Sequence, residues 1–474
     1  MPALPIIAVT LAGLVLRLFA ARGDLWLDEI WSLQNLEKIH SVGEIFWGMS
    51  QDNNHFLNSL WLWFTGPRAP ALIIRLEAVV CGTLTIPIAA WLCRRAGATA
   101  AFTAAALVAI APLFVHYGSE ARGYAGLILM TFIAAETIEG FLDSFADSDS
   151  KGASRSTAQK CRLAFGVAIA IGALFHLTML MAAATLFVAA LLRLMLRGLP
   201  LSKVAHAGID LAIPAALGTI PVAGFIIAGV VNTHKIELGA QTPFSLYHLG
   251  QGLSTLFEAT LGLPYWLPIW AALAITAILV SWAAAVTPAD RRILPLTALL
   301  LPPLLATLAF LPNVHIARFH LISALGLVLL MAELFAWLWR SHQSKWAVLL
   351  AAAICIGSAS NLAPLLLRGR GDYQTLVRRM EAHGATTYGS NMEAELNRTL
   401  RFYDPRLGKL LVSAKSADWC KSPPDWYILS DDPSGEAPHR NFGPPECGTP
   451  YIRDIVISAT PLSGLRLALY ARQK

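Results

Sequence analysis

The residue types best suited to chemistry stand in four short groups. The first is Asp24-Leu25-Trp26-Leu27-Asp28-Glu29, directly after an apolar block at about residues 4–21. Adjacent carboxylates at a membrane boundary are costly to desolvate, and a reactive role can offset that cost. One carboxylate could take a proton from a hydroxyl nucleophile while its neighbour orients it or binds a cation. A solvated acidic pair would need no such role. The second group, Gln51-Asp52-Asn53-Asn54-His55, precedes Phe56, Trp61 and Trp63; it suits a sugar, the positioning of the acidic pair, or a plain helix cap. The third runs from His116 to Tyr124, where Arg122 offers planar, bidentate donors to a phosphate, unless Glu120 holds it as a structural partner. The fourth is His315, Arg318 and His320, with His176, His234 and Lys235 also at the ends of apolar blocks.

An acidic pair beside several cations suits displacement at a sugar carbon with a phosphate leaving group, whose developing charge the cations would stabilise. The same side chains could line the cavity of a secondary transporter or lipid flippase, because buried charges also mark transport paths.

Long apolar segments must position these groups. Hydrophobic residues make up 56% of the 474 residues and charged residues only 14%, against about 25% charged in a soluble domain; the mean hydropathy is +0.56. The net charge of +6 does not indicate a nucleic-acid partner, since the basic residues are scattered between apolar blocks. After the first block, read as a retained span, further blocks fall near 70–92, 97–115, 124–142, 163–176, 178–196, 208–230, 266–285, 293–311, 319–339 and 346–366. All but 163–176, which is short for a full crossing, are near the length that crosses a bilayer core of roughly 30 Å, which predicts an all-α polytopic membrane protein of about eleven helices.

Arg94, Arg95, Lys160, Arg193, Arg197, Arg291, Arg292, Arg340 and Lys345 then fall on one side, which the positive-inside rule makes cytoplasmic. The N-terminus is expected inside, and all four chemical groups outside. The first outer loop, residues 22–69, carries apolar and aromatic residues among polar ones, as amphipathic interfacial helices do.

After residue 366 the charge density rises to that of a soluble domain. Segments 384–388, 410–413, 426–429 and 454–457 read as strands and 391–402 as a helix, which predicts a small α/β domain over 367–474 on the outer face. Cys420 and Cys447 in that region could form a disulfide in an oxidising compartment. No cysteine spacing typical of a metal site occurs.

With these motifs in order, the sequence resembles the polyprenyl-phosphate-dependent membrane glycosyltransferases of the C-type superfamily, and within it the bacterial protein mannosyltransferase and aminoarabinose transferase group. Trp26-Leu27-Asp28-Glu29 matches the family's Asp-Glu hallmark after the first span. Tyr117-Gly118-Ser119-Glu120-Ala121-Arg122-Gly123-Tyr124 is similar to the segment between the third and fourth spans, and Ala317-Arg318-Phe319 to a later Arg-aromatic element. His176 falls at a turn where related chains often carry a histidine.

The resemblance covers roughly residues 1–340. It implies an inverting transferase in the bacterial inner membrane, taking a sugar from a polyprenyl-phosphate carrier to a lipid, glycan or protein acceptor of the envelope. Asp28 is then the expected catalytic base and Glu29 an assisting carboxylate. Arg122, Arg318 and Lys235 are expected at the donor phosphate. Asp52, His55, Tyr117, Glu120, Tyr124, His176 and His315 would line the acceptor or sugar. A divalent cation on Asp28, Glu29 and Asp52 is conceivable, and no closed metal site is evident. Many relatives carry His-Pro-Pro where this chain has His55-Phe56-Leu57.

Overall fold

The computed structural model describes residues 3–51, 54–146, 152–234, 241–382, 387–404, 423–431, 440–442, 450–457, 461–463 and 466–473. Asp52, Lys235, Cys420 and Cys447 lie outside the described residues, as does the 410–413 segment.

Among the described residues, seventeen α-helices precede the C-terminal region. Helix α1 (Ala3–Ala20) is followed by α2 (Leu27–Leu36), α3 (Val42–Trp47), α4 (Phe56–Thr65) and α5 (Ala71–Ile74), and these four form the first loop. Then come α6 (Leu76–Cys93), α7 (Ala98–Ile110), α8 (Pro112–Tyr117), α9 (Tyr124–Ala146), α10 (Gly152–Phe175), α11 (Met179–Leu196) and α12 (Leu201–Thr233). Helices α13 (Leu246–Leu261), α14 (Ile269–Val286), α15 (Ile293–Leu308), α16 (Leu321–Arg340) and α17 (Ser344–Arg368) complete the bundle. Among the described residues nine helices are long and apolar enough to cross a membrane, and Ala98–Ile110 and Ile293–Leu308 are shorter apolar helices. The chain is a polytopic, predominantly helical membrane protein. Helix α13, buried in its C-terminal half, departs from the sequence reading, which placed no helix in 231–265.

One break in the bundle positions the third chemical group. Pro112 has no N–H to give to Val108 O, so the helix stops at Ile110 and restarts as α8. Arg17, fully buried in α1, takes the orphaned acceptors: it donates to Val108 O at 2.8 Å and Ala109 O at 3.3 Å, and also to Phe114 O at 3.3 Å, which accepts from Gly118 N as well. The sequence offered only a lone arginine in an apolar block.

At one end of the bundle ion pairs tie neighbouring helices together. Arg94 and Arg95 reach Glu136 at 2.6 Å each, Arg193 pairs with Glu139, and Arg291 meets Glu333 at 3.1 Å. The described residues of the four chemical groups lie at the other end.

The C-terminal region holds α18 (Tyr373–Ala382), β1 (Tyr388–Ser390), α19 (Glu393–Tyr403), β2 (Trp426–Asp431), β3 (Asn441–Phe442), β4 (Tyr451–Ile457) and β5 (Arg466–Arg472). The sheet order is β1-β2-β5-β4-β3; β1 runs parallel to β2 and the other pairs are antiparallel. Its core is not made from the tail alone. Trp26 and Leu27, 5% and 8% exposed, are buried with Tyr373, Leu376, Leu396 and Leu400, and such side chains each gain about 1.5–3 kcal/mol on full burial.

Candidate active site

Asp28 and Glu29 occupy the first turn of α2, where carboxylates favour the positive end of the helix dipole. The helix turns Ile30, Leu33 and Leu36 inward, against Ile45, Leu62, Ile74 and Ala121, while Leu27 packs into the core of the C-terminal region. The two adjacent carboxylates therefore point in different directions and meet different partners.

Glu29 is fully buried and fully used. Arg75 grips both oxygens, Nε to Oε1 at 2.8 Å and Nη2 to Oε2 at 2.6 Å. The Ala121 N–H donates to Oε1 at 2.8 Å and the Trp26 N–H to Oε2 at 3.0 Å. Burial pushes this carboxyl up, and the Arg75 guanidinium outweighs it, holding it below the usual carboxylate range. Arg75 also donates to the carbonyls of Ala21, Arg22, Gly23 and Asp24. The pair fastens the start of the first loop to the 120–122 segment.

Asp28 keeps some access to solvent, with a side chain 16% exposed. Its Oδ2 lies 3.2 Å from Arg318 Nη1 and 3.6 Å from Arg122 Nη1. Its Oδ1 has no hydrogen-bond partner among the described residues. Arg122 also donates to Tyr124 Oη at 3.3 Å, and the guanidiniums of Arg122 and Arg318 lie 5.5 and 6.0 Å from the Tyr124 ring. Three chain regions distant in sequence thus meet at one carboxylate oxygen.

An aromatic group adjoins the arginines. His55 stacks on His176 at 4.7 Å and 24°, His176 lies 4.8 Å from Tyr124, and Tyr124 lies 5.2 Å from Tyr117. Gly123 permits this approach: a Cβ there would lie 1.9 Å from Phe175 O and 3.1 Å from His55 Cβ. Both histidines are held neutral. Burial, then Arg122, lowers His55 well below its usual value, and the same causes bring His176 to about 3. His55 Nε2 and Tyr117 Oη are buried without hydrogen-bond partners among the described residues.

Glu120 faces away from Asp28. It lies 3.1 Å from His116 Nε2 and 3.7 Å from Arg370 Nε. Burial raises this carboxyl, but His116, Arg370 and Arg122 prevail and hold it at about 2. His315 also stands apart from the aromatic group and faces His248 across 5.6 Å, on the α13 side.

Of the three candidate cation ligands, Asp52 lies outside the described residues. Both Glu29 oxygens are taken by Arg75 and backbone N–H groups, and Asp28 leans on two guanidiniums. Among the described residues no group of three or more His, Cys, Asp or Glu side chains gathers. A cavity of about 310 Å³ opens beside Phe319, the chain neighbour of Arg318, and is lined mainly by apolar side chains including Leu177, Met181, Leu311 and Pro312.

Arg17, Arg75 and Arg370 were not predicted as contributors. Their signal in the sequence is a charge within or beside an apolar block, which marks a polar task without naming the partner.

No family model and no curated protein matches the chain. Among solved structures it is similar to the Archaeoglobus fulgidus oligosaccharyltransferase in complex with Zn and sulfate, at 11% identity and a TM-score of 0.50, over 90% of this chain and 68% of that one. It is also similar to the archaeal oligosaccharyltransferase AglB from Archaeoglobus fulgidus with an inhibitory peptide and a dolichol-phosphate, at 10% identity and a TM-score of 0.47, over 90% and 69%. A third is ArnT from Cupriavidus metallidurans bound to undecaprenyl phosphate, at 13% identity and a TM-score of 0.40, over 99% and 97%. The first of these likenesses establishes an architecture: the chain shares the fold of the Archaeoglobus fulgidus oligosaccharyltransferase.

Proposed function

We propose that this chain is an inverting glycosyltransferase that moves a sugar from a polyprenyl-phosphate carrier to a lipid, glycan or protein acceptor of the envelope, at the outer face of the bacterial inner membrane. The observation that carries the reading is the convergence of Arg122 and Arg318 on a single oxygen of Asp28. Two guanidiniums against one carboxylate leave positive charge for an anion, and Asp28 Oδ1 is left to accept a proton.

In the proposed reaction the acceptor hydroxyl attacks the anomeric carbon. Asp28 takes its proton, a new C–O bond forms, and the bond from the anomeric carbon to the phosphate oxygen breaks. The electron pair leaves with the phosphate, and Arg122 and Arg318 stabilise the charge that develops there. One displacement with one base inverts the anomeric centre. The neutral stack of Tyr117, Tyr124, His176 and His55 is a platform for a sugar ring, and Glu29 serves as a positioning residue rather than a proton acceptor. The apolar cavity beside Phe319 suits isoprene units. Asp52 and Lys235 retain their proposed places on the acceptor and donor sides.

The topology proposed with this chemistry has eleven crossings. The shorter apolar helices α7, continued by α8, and α15 join the nine longer ones, and the ion-paired end is cytoplasmic. The tail is then a small α/β domain in the periplasm.

Binding of sugar-free polyprenyl phosphate to the purified protein tests the reading. Hydrogen bonds to charged groups are worth about 1.5–3 kcal/mol, so Arg122→Gln and Arg318→Gln should each weaken binding about tenfold or more. Unchanged binding in both variants would overturn it. Tight binding with no sugar transfer to any acceptor would favour a flippase.

A further inference from the structure

We infer that Arg370, from the C-terminal region, is a positioning residue that joins the two segments delivering Asp28 and Arg122. The tail is thereby part of the site's frame rather than an appended module. Arg370 follows α17 and is fully buried. Its Nη1 donates to Ala20 O at 2.9 Å, at the end of α1. Its Nη2 donates to His116 O at 2.6 Å and Ser119 Oγ at 2.9 Å, where α8 runs into the linker to α9. Its Nε lies 3.7 Å from Glu120. One guanidinium therefore spans both segments.

The consequences follow the chain. Glu120 O accepts from Arg122 N at 2.7 Å, and Arg122 reaches Asp28 Oδ2. On the other side, Ala20 leads directly into the stretch of chain that carries Asp28. Further tail contacts reinforce this frame. Tyr403 Oη donates to Leu25 O at 3.0 Å, Gln374 donates from its backbone and side chain to Asp24, and Trp26 and Leu27 lie in the tail's own core. Two positive-φ glycines, Gly23 and Gly369, abut where the segments cross: a Cβ on Gly23 would lie 3.7 Å from Gly369 Cα.

Arginine chemistry matters here. A planar fork can reach carbonyls on two segments at once, while a lysine is a point charge on a flexible stem. If Arg370 only neutralised Glu120, lysine would replace it. If it bridges, lysine would not.

Amide hydrogen exchange on the full-length protein in detergent distinguishes these roles, with Arg370→Gln, Arg370→Lys and the remote Arg94→Gln as control. The expected result is exchange at least tenfold faster in both 20–31 and 116–124 for Gln and Lys alike, with 90–97 unchanged. Arg94→Gln should leave both site segments as in wild type. Wild-type exchange in both segments of Arg370→Lys would overturn the inference, and so would uniform acceleration along the chain. Should Arg370→Gln fail to accumulate, Tyr403→Phe gives a milder probe: it should loosen 20–31 and leave 116–124 unchanged, and no change in 20–31 would count against the frame.

The effect on the reaction rests on the proposed transferase reading, and sugar-free polyprenyl phosphate reports it. Its binding should weaken tenfold or more in both Arg370 variants. A wild-type protein that binds none would defeat the functional reading, while the exchange result would still decide the role of Arg370.

Discussion

Replacing Glu29 with glutamine removes one charge from a site where every acceptor is occupied. Glutamine offers one carbonyl oxygen and one NH2 group. With the NH2 in place of Oε2 it faces Arg75 Nη2 and the Trp26 N–H; in place of Oε1 it faces Arg75 Nε and the Ala121 N–H. In either orientation two buried donors lose their acceptor, and Arg75 is left without its counter-charge. Breaking a buried ion pair from one side costs about 3–5 kcal/mol, and Glu29→Gln should lose that much. Unfolding in mixed micelles by titration with dodecyl sulfate measures it. Arg75→Met and the double variant complete a cycle, in which the second substitution should cost much less than it does alone. A loss below about 1 kcal/mol, or strict additivity, would refute a fastening role for this pair.

Two further outcomes are expected. Gly123→Ala would place a Cβ 1.9 Å from Phe175 O, so the same unfolding assay should register a loss of about 1–3 kcal/mol or more from overpacking, together with weaker polyprenyl-phosphate binding. A pH dependence follows from His176, which burial and then Arg122 lower to about 3. The unfolded chain takes up this proton below about 6.5 while the native state does not, so its contribution to stability is complete above that pH and declines as pH falls toward the native value. At pH 5 the loss is about 2 kcal/mol, and His176→Gln should remove that share of the dependence.

Much of the helical frame was legible because a membrane span announces itself by length and composition. The apolar blocks became helices, with 70–92 and 97–115 each divided into two, and the aromatic first loop became short helices. Partnership was not legible. Asp28 and Glu29 are neighbours with the same chemistry, and only the inward turn of α2 assigns one to Arg75 and the other to Arg122 and Arg318. The break before Pro112 could be read from the proline, but not that Arg17 would satisfy the carbonyls it frees. In the tail, α18 carries Tyr373, Leu376, Val377 and Met380 at helical spacing, a signal that was available and went unused. Strand β5 lies between β2 and β4 with Leu467 to Tyr470 buried on both faces, so it lacks the alternation that marks a half-exposed strand.

The proposed function meets its most direct test in the release of free polyprenyl phosphate from polyprenyl-phosphate sugars. Wild type and Asp28→Asn, each reconstituted in lipid nanodiscs with an envelope extract as acceptor, would be compared side by side. Loss of a general base lowers a rate by about 10²–10⁴-fold, so wild type should release the lipid phosphate and the variant should fall at least a hundredfold while binding the carrier. Equal release by the two proteins would contradict the assignment of Asp28, and no release by wild type from any donor would contradict the transferase itself.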